Sequence, residues 1–347
     1  MKILSRLLAV VLVACAQQSM APDATRVVGA VTIDMEDQAR SRKIVSEVWF
    51  EAAPGAKAEP FAARPVFRPI PVARDAGPYP SLSLRPLVII SHGNFGSRFS
   101  HAWLASELVQ TGYLVLSTSH PGTSGEDQTA AGRYRLWDRS RDVSFAIDEI
   151  LKHPKWGPLI DPRRIGFVGH SFGGWTGVSL AGGRYDPAKQ RAFCEKSPKK
   201  DFYCEGTLKD DITSVPATDA GGSFKDGRIK AFYIMAAGPG QGFLAESLNS
   251  ITAPFIVDTA QFDSVLEPQA NSSFLARHIV GAREVIRPVG HFVYTPLCIG
   301  RIPSSAGPVS LICSDPDGVD RDLVQKEVAR NVIQLFNEKL PGQASTR

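Results

Sequence analysis

The chain has 347 residues, of which 43% are hydrophobic and 21% are charged, an ordinary globular composition that can bury a large core. The formal net charge is +4, and it falls to +2 if a leader carrying Lys2 and Arg6 is removed, leaving 37 basic residues against 35 acidic ones. So small a charge, with no basic stripe interleaved with aromatic residues, argues against nucleic-acid binding.

The first residues, 1–15, have the pattern of an export signal, with two basic residues before an apolar run too short to span a bilayer. The sequence LVAC, ending at Cys15, matches a bacterial lipobox, in which Cys15 would carry the lipid. The alternative is ordinary cleavage after Ala16, because Ala14 and Ala16 form an A-x-A site. We expect a periplasmic, outer-membrane lipoprotein or else a secreted protein, with residues 16–26 as a tether and no other membrane contact.

The remainder, residues 27–340, is predicted to form a single domain. It begins with two antiparallel strands, VVGAVTID and RKIVSEVWF, and residues 51–85 are expected to form irregular surface loop because they are rich in Pro and Ala. Strands and helices then alternate, which predicts an α/β fold with a mostly parallel, doubly wound sheet. The predicted strands are RPLVIISHG, YLVLSTSH, RIGFVGH, IKAFYIMAA, APFIVDTA and AREVIRPVG. The predicted helices are SHAWLASELVQTG with Ser100 as N-cap, WDRSRDVSFAIDEILKH, FGGWTGVSL and DRDLVQKEVARNVIQLFNEKL.

About 45 residues, roughly 185–229, interrupt this alternation, and loops of that length are usually functional or disordered. We interpret this insertion as a cap over the active site, the alternative being a surface insertion without a catalytic role. Apart from Cys15 the chain has four cysteines, and an even number in an oxidising compartment suggests two disulfides. Of the three connectivities we favour the local one, and four free thiols are the alternative. The pairs are Cys194 with Cys204 and Cys298 with Cys313.

The sequence GHSFG, residues 169–173, matches the G-x-S-x-G motif and lies between a predicted strand and a predicted helix. In that motif the serine occupies a strained strand-to-helix turn, and its hydroxyl is exposed at the helix N-terminus. We therefore predict that Ser171 is a nucleophile. The alternative is a serine that only caps the helix.

A serine hydroxyl needs a base, and in this fold the order along the chain is Ser, acid, His. Only His278 and His291 follow Ser171. His278 lies in a helical pattern and is interpreted as structural. His291 follows Gly290 on a loop after a strand, where a general base is expected.

The acid must lie between Ser171 and His291 at the end of a strand. The segment APFIVDTAQFDSVLEP contains Asp258, Asp263 and Glu267. Asp263 is favoured because it lies past the strand, and its role would be to hold the imidazole tautomer of His291. Asp258 and Glu267 remain alternatives, whereas the preceding strand, IKAFYIMAA, has no acid at its end.

An oxyanion hole needs two preorganised N–H donors. One is predicted at Phe172, the residue after the nucleophile, and the other at Asn94, in the loop after PLVIISHG. Both would be backbone donors. His92 is expected to stabilise that loop rather than take part in the chemistry. No C-x-x-C or Cys/His spacing of a metal site is present, and no metal or cofactor is expected.

Several segments together resemble the dienelactone-hydrolase-like, platelet-activating-factor-acetylhydrolase-like α/β-hydrolases of bacteria. They are PLVIISHGNFGSR, SHPGTSGED, RSRDVSFAIDEIL, IGFVGHSFGGWT, GHFVYTPLC and, near the N-terminus, DQARSRKIVSEVWFEA. The resemblance covers roughly residues 30–340 without the insertion. It implies an α/β-hydrolase fold and a cofactor-independent serine esterase with Ser171, Asp263 and His291 as triad and Asn94 and Phe172 as oxyanion donors.

Two departures from the family weaken the assignment of a substrate. In the acetylhydrolases the acid follows the strand after the nucleophile helix, and a dienelactone hydrolase has cysteine in place of Ser171. The sequence therefore favours a hydrolase of short-chain or lipid-like carboxylic esters acting on a small molecule or a lipid. The alternatives are a thioesterase or amidase of the same fold, or a catalytically silent lipoprotein that binds a ligand. The oligomeric state is not predicted.

Overall fold

The computed structural model describes residues 26–197, 201–209, 217–300, 302–303, 305 and 307–340. Cys15 and all of the predicted leader and tether except Arg26 lie outside these residues. No helix among those described is long and apolar enough to cross a membrane.

Twelve strands are present in the described ranges. They are β1 (Val28–Asp37), β2 (Arg42–Glu51), β3 (Glu59–Phe61), β4 (Ile70–Arg74), β5 (Arg85–Ser91), β6 (Leu114–Thr118), β7 (Thr123–Ser124), β8 (Asp127–Gln128), β9 (Ile160–His170), β10 (Ile229–Met235), β11 (Phe255–Ala260) and β12 (Arg283–Arg287).

Eleven α-helices accompany them in the same part of the chain. They are α1 (Ala102–Gln110), α2 (Ala130–Tyr134), α3 (Trp137–Lys152), α4 (Phe172–Ala181), α5 (Pro187–Lys196), α6 (Phe202–Lys209), α7 (Ala217–Ala220), α8 (Ala245–Asn249), α9 (Ser272–His278), α10 (Pro308–Ile312) and α11 (Arg321–Lys339).

Ten strands form one sheet in the order β12-β11-β10-β9-β5-β6-β2-β1-β4-β3. The six strands from β12 to β6 are parallel, and β2 joins β6 in the antiparallel sense. The predicted strand pair is confirmed, because β1 and β2 are antiparallel along their whole length. The central strands β5, β6 and β9 have long buried runs, as expected of strands covered on both faces.

The two faces of the sheet are covered by different helices. Alternate side chains of β9 contribute to two cores, Phe167 to one and Val168 to the other. The first core includes residues of α3, α4, α8 and α9, and the second includes residues of α1 and α11. Every residue of α4 is buried, which fits a helix that is apolar on all sides.

The structure corrects two expectations. Residues 51–85 are not wholly irregular, because β3 and β4 lie there and β4 extends the sheet beside β1. Both strands are short and contain Pro, which is tolerated near a sheet edge. Ser100 is not the N-cap of α1: His101 occupies that position, and the Ser100 hydroxyl instead accepts the Ser97 N–H at 2.9 Å.

The insertion carries α5, α6 and α7. A disulfide joins Cys194 of α5 to Cys204 of α6, with their Cα atoms 5.0 Å apart. A second disulfide joins Cys298 to Cys313, with a Cα–Cα distance of 5.8 Å. This is the local pairing of the four cysteines.

Candidate active site

Ser171 lies on the turn between β9 and α4, with φ of 56° and ψ of −117°. A positive φ is costly for a residue with a Cβ, so this turn stores strain. The neighbouring glycines make the turn feasible. A Cβ added to Gly173 would lie 1.9 Å from the carbonyl oxygen of Ser91, and one on Gly169 would lie 2.1 Å from that of Gly173. The backbone thus has the geometry of a nucleophile elbow.

His291 begins a 3₁₀ turn that follows β12, and its Nδ1 lies 2.6 Å from Oδ2 of Asp263. The other carboxylate oxygen, Oδ1, accepts the N–H groups of Val265 and Leu266, each at 2.8 Å. With Asp263 ionised, Nδ1 carries the proton, and Nε2 is left free to accept one. Both side chains are buried.

His170 connects this pair to the nucleophile turn. Its Nε2 lies 3.0 Å from the carbonyl oxygen of His291, and the two imidazole rings are 4.8 Å apart. Because His170 directly precedes Ser171, the contact places Ser171, His291 and Asp263 at the same edge of the sheet. Among the described residues no hydrogen bond joins the Ser171 hydroxyl to His291, and such bonds are often long in free enzymes.

The two alternative acids are engaged elsewhere. Asp258 is fully buried and accepts Arg287 Nε at 2.9 Å and the Tyr294 hydroxyl at 2.8 Å. Burial raises the Asp258 pKa, and the charge of Arg287 opposes that shift. Glu267 accepts the N–H of Ala270 at 2.7 Å. The geometry therefore favours Asp263 as the partner of the imidazole.

His278, the other histidine after the nucleophile, is at the end of α9. Its Nδ1 lies 2.8 Å from the carbonyl oxygen of Phe274, and its ring packs on the Phe274 ring with centroids 4.2 Å apart. These local contacts within one helix fit the structural role that was predicted for it.

Asn94 presents a backbone N–H that has no partner among the described residues. The carbonyl of the same peptide group, that of Gly93, accepts His92 Nδ1 at 2.6 Å and the N–H of Gly96 at 3.1 Å. In a trans peptide the N–H points away from the carbonyl, so these two bonds fix its direction. A Cβ added to Gly93 would lie 3.0 Å from Cβ of Ser171, which places this peptide beside Ser171.

Phe172, at the start of α4, has a second N–H that no described residue accepts. The carbonyl of its peptide group, that of Ser171, accepts the N–H of Trp175 at 3.1 Å and that of Gly238 at 3.4 Å. The first N–H groups of a helix have no intrahelical partner and attract negative charge. The two predicted oxyanion donors are thus adjacent to Ser171. Hydrogen bonds to the carbonyl oxygen of each peptide group hold the N–H of that group in position.

His92 has a defined tautomer. Its Nε2 accepts the backbone N–H of His120 at 3.1 Å, so the proton lies on Nδ1, which donates to Gly93. Burial lowers the His92 pKa well below its usual value, and the charge of Arg139 adds to that effect. The imidazole is therefore neutral and holds the loop that carries Asn94.

Sequence reasoning missed Arg139, which is on α3 and 1% exposed. It donates to the carbonyl oxygen of His92 and lies behind the loop that carries Asn94. The sequence offered one signal: an arginine in the buried stripe of an amphipathic helix, four positions before Val143.

The insertion contacts both parts of this site. The ring of Tyr203, in α6, packs edge-on against Phe172 with centroids 5.8 Å apart. The N–H of Phe202 donates to the carbonyl oxygen of Val265, in the loop that holds Asp263, at 3.0 Å. Among the described residues no group of three or more His, Cys, Asp or Glu side chains could hold a metal ion.

Comparison with curated proteins gives short matches. The chain matches no family model. It is 30% identical over 109 residues to the mouse acylamino-acid-releasing enzyme, covering 30% of this chain and 14% of that protein. The human enzyme is 28% identical over 128 residues, 35% of this chain and 16% of that protein. These matches span about a seventh of the relatives' length.

Comparison with solved structures covers nearly the whole chain. The ferulic acid esterase from Streptomyces cinnamoneus aligns with a TM-score of 0.59 at 18% identity, over 94% of each chain. A dienelactone hydrolase-like promiscuous phosphotriesterase from metagenomic libraries aligns with a TM-score of 0.50 at 15% identity, over 91% of this chain and 100% of that one. The fold implied by the sequence resemblance is confirmed: the chain has the α/β-hydrolase fold that the dienelactone hydrolase-like proteins share.

Proposed function

We propose that the protein is a serine hydrolase that cleaves carboxylic esters through an acyl-enzyme. One observation carries the proposal. The His291–Asp263 pair, joined at 2.6 Å, lies at the same sheet edge as the strained Ser171. The two free N–H groups of Asn94 and Phe172 beside that serine supply what a tetrahedral intermediate needs. In this proposal Ser171 is the nucleophile, His291 the base and Asp263 the acid, and the two N–H groups bind the oxyanion.

The reaction would proceed in two halves. Ser171 Oγ attacks the ester carbonyl carbon while His291 Nε2 takes the hydroxyl proton, and the carbonyl oxygen becomes an oxyanion bound by the two N–H groups. The carbon–oxygen bond to the alcohol then breaks, and the imidazolium returns its proton to that alcohol. A water molecule, deprotonated by the same imidazole, attacks the acyl-enzyme and releases the acid and the free serine. Asp263 holds the tautomer throughout.

An apolar substrate fits the surroundings of the site. Phe95, which follows Asn94, is 52% exposed, and Phe262, which precedes Asp263, is 53% exposed. Phe202 of the insertion is 59% exposed. Exposed aromatic side chains beside a catalytic centre favour an apolar ligand. These side chains support a short-chain or lipid-like ester as the substrate. The insertion would cover the bound substrate as a cap.

The location proposed is extracytoplasmic. Two disulfides are typical of proteins in an oxidising compartment. A periplasmic protein anchored through lipidated Cys15 fits both the disulfides and the lipobox. Palmitate labelling in a bacterial host, with Cys15→Ala as the control, tests the anchor directly.

A second candidate activity is release of acyl groups from amides. The match to acylamino-acid-releasing enzymes favours it, although it covers only 14% of the mouse protein. The same triad would serve, with an amine instead of an alcohol as leaving group. Parallel assays with an acyl-alanine p-nitroanilide and the matching p-nitrophenyl ester would separate the two.

The test uses the purified protein, Ser171→Ala and a panel of p-nitrophenyl esters of increasing acyl length. We expect hydrolysis by the wild type alone and covalent labelling of Ser171 by a fluorophosphonate, located by mass spectrometry. Equal background rates for both proteins, with no label on Ser171, would refute the proposal and leave the silent binding protein. Cleavage of the anilide by the wild type but not by Ser171→Ala would favour the second candidate.

A further inference from the structure

Arg139 is a fully buried cation for which the proposed reaction has no direct use. It projects from α3 and makes four hydrogen bonds, and all of its acceptors are neutral. Burial lowers its pKa to about 9, so it still carries its charge at neutral pH. A buried charge without a carboxylate in contact is costly, and such groups persist mainly where function requires them.

Its four acceptors are the carbonyl oxygen of His92, Ser91 Oγ at 3.2 Å, Thr123 Oγ1 at 2.5 Å and Thr176 Oγ1 at 3.1 Å.

The first branch of this network reaches the Asn94 donor. The guanidinium Nη2 donates to the carbonyl of His92, whose own imidazole fixes the Gly93–Asn94 peptide. The Nη1 branch donates to Thr123, and the carbonyl of Thr123 accepts the N–H of Phe95 at 3.0 Å. Hydrogen bonds therefore hold the backbone both before and after the Asn94 N–H.

The Nε branch reaches the Phe172 donor. Arg139 Nε donates to Thr176 Oγ1, and the Thr176 hydroxyl donates to the carbonyl oxygen of Phe172 at 2.9 Å. This fixes the first turn of α4, on which the second N–H stands. One side chain therefore connects the two separate backbone segments that form the oxyanion hole.

The charge of Arg139 is left largely uncompensated. Asp142, three residues along α3, is the carboxylate whose charge raises the Arg139 pKa, against the larger lowering by burial. However, Asp142 Oδ1 accepts Arg40 at 2.9 Å and Oδ2 accepts Arg42 at 2.8 Å. Asp142 is therefore engaged by two other cations. Those cations have further carboxylate partners, Asp37 for Arg40 at 2.6 Å and Asp138 for Arg42 at 4.0 Å. Arg139, in contrast, has only neutral hydrogen-bond acceptors.

We propose that Arg139 is a positioning residue that aligns the Asn94 and Phe172 N–H groups in the transition state of Ser171 acylation. This inference rests on the proposed hydrolase function. Arg139 touches neither the substrate nor the reacting atoms. It acts through the His92 carbonyl and through Thr176. Such an effect should be seen in transition-state stabilisation rather than in substrate binding.

The test compares Arg139→Met and Arg139→Lys with a matched control, Arg141→Met. Arg141 lies two residues along the same helix, and its side chain is 34% exposed. Active sites are titrated with a fluorophosphonate, so rates refer to competent molecules. We expect Arg139→Met to lower kcat roughly 10- to 100-fold per titrated site, with KM changed less than about threefold. Arg139→Lys should recover part of the rate, and Arg141→Met should match the wild type.

A second measurement separates positioning from mere folding. An alkyl trifluoromethyl ketone forms a hemiketal oxyanion on the serine, so its inhibition constant reports on the hole. It should weaken by the same factor as kcat in Arg139→Met. A purely structural arginine would lower the melting temperature and the titrated fraction but leave kcat per site and ketone affinity unchanged. That outcome would overturn the inference.

If Arg139→Met does not fold, single-bond variants decide. Thr176→Val and Thr123→Val should each lower kcat roughly three- to tenfold, whereas Ser179→Ala should not. The Ser179 hydroxyl is buried on α4 and has no partner among the described residues. Unchanged kcat in both threonine variants would overturn the inference while the wild type stays active. A wild type that neither turns over esters nor labels at Ser171 would instead refute the proposed function.

Discussion

Replacing Asp263 by asparagine should reverse the hydrogen bonding of the His291 imidazole. In the native structure Oδ1 accepts the N–H groups of Val265 and Leu266, and Oδ2 accepts the proton on His291 Nδ1. Asparagine has one oxygen, and the two backbone donors require it. The amide NH₂ then faces His291 and donates to Nδ1. The imidazole must carry its proton on Nε2, where it can no longer accept one from Ser171.

The expected loss in kcat for Asp263→Asn is roughly 10⁴-fold, the size associated with the wrong histidine tautomer in a serine triad. That factor corresponds to about 5 kcal/mol of transition-state stabilisation. Stability should change little because the turn that Oδ1 closes is kept. The assay is kcat on the best p-nitrophenyl ester, with the melting temperature followed by circular dichroism at the same pH.

The alternative acids provide the controls. Glu267→Gln should keep kcat within about twofold, because its carboxylate caps a backbone N–H away from the imidazole. Asp258→Asn should lower stability by roughly 3 kcal/mol, because Arg287 loses its buried carboxylate partner and keeps only the partly exposed Glu327. The reasoning fails if Asp263→Asn retains more than a tenth of the wild-type kcat, or if Glu267→Gln is the variant that loses it.

Three further outcomes can be measured. Ser171→Gly should abolish hydrolysis yet raise the free energy of unfolding by about 1 kcal/mol, because glycine adopts the φ of 56° without strain; a lower melting temperature would contradict this. The double variant Cys298→Ala, Cys313→Ala removes a disulfide that joins residues 15 positions apart, and it should lower the free energy of unfolding in urea by about 3 kcal/mol. An unchanged free energy of unfolding would argue against this disulfide. Burial lowers the His101 pKa from 6.5 to about 4, so the unfolded chain binds its proton first and stability falls by about 3 kcal/mol from pH 6.5 to 4. The His101→Leu variant should lose about 3 kcal/mol less stability than the wild type between pH 6.5 and 4. Equal losses in the two proteins would refute this prediction.

The parallel core of the fold was predictable because its strands are long apolar runs. Runs such as PLVIIS and IGFVGH are buried on both faces, and few other structures accommodate them. The place where the candidate residues meet was predictable for a related reason: parallel strands bring their carboxyl ends to one edge, so the residues after β9, β11 and β12 lie together there.

The rest of the structure depends on contacts that leave no pattern in the sequence. The strand β4 pairs with β1 through only two residues, and its companion β3 is three residues long with a central proline. The helical period places Arg139 in the buried stripe of α3, but no pattern in the sequence shows its partners, which lie on other elements. Arg141, two residues later on the same helix, falls outside that stripe and is partly exposed.

Stability alone does not account for the arrangement behind the serine. The turn at Ser171 is strained, and the guanidinium of Arg139 is buried without a carboxylate in contact. Replacing buried ionic groups by apolar ones of similar volume often stabilises a protein. Both costs fall on the groups that flank the Asn94 and Phe172 N–H donors. The strained turn and the buried guanidinium both lower the stability of the fold beside the Ser171 hydroxyl. Their presence fits a site in which preorganised N–H donors matter more than the free energy of folding.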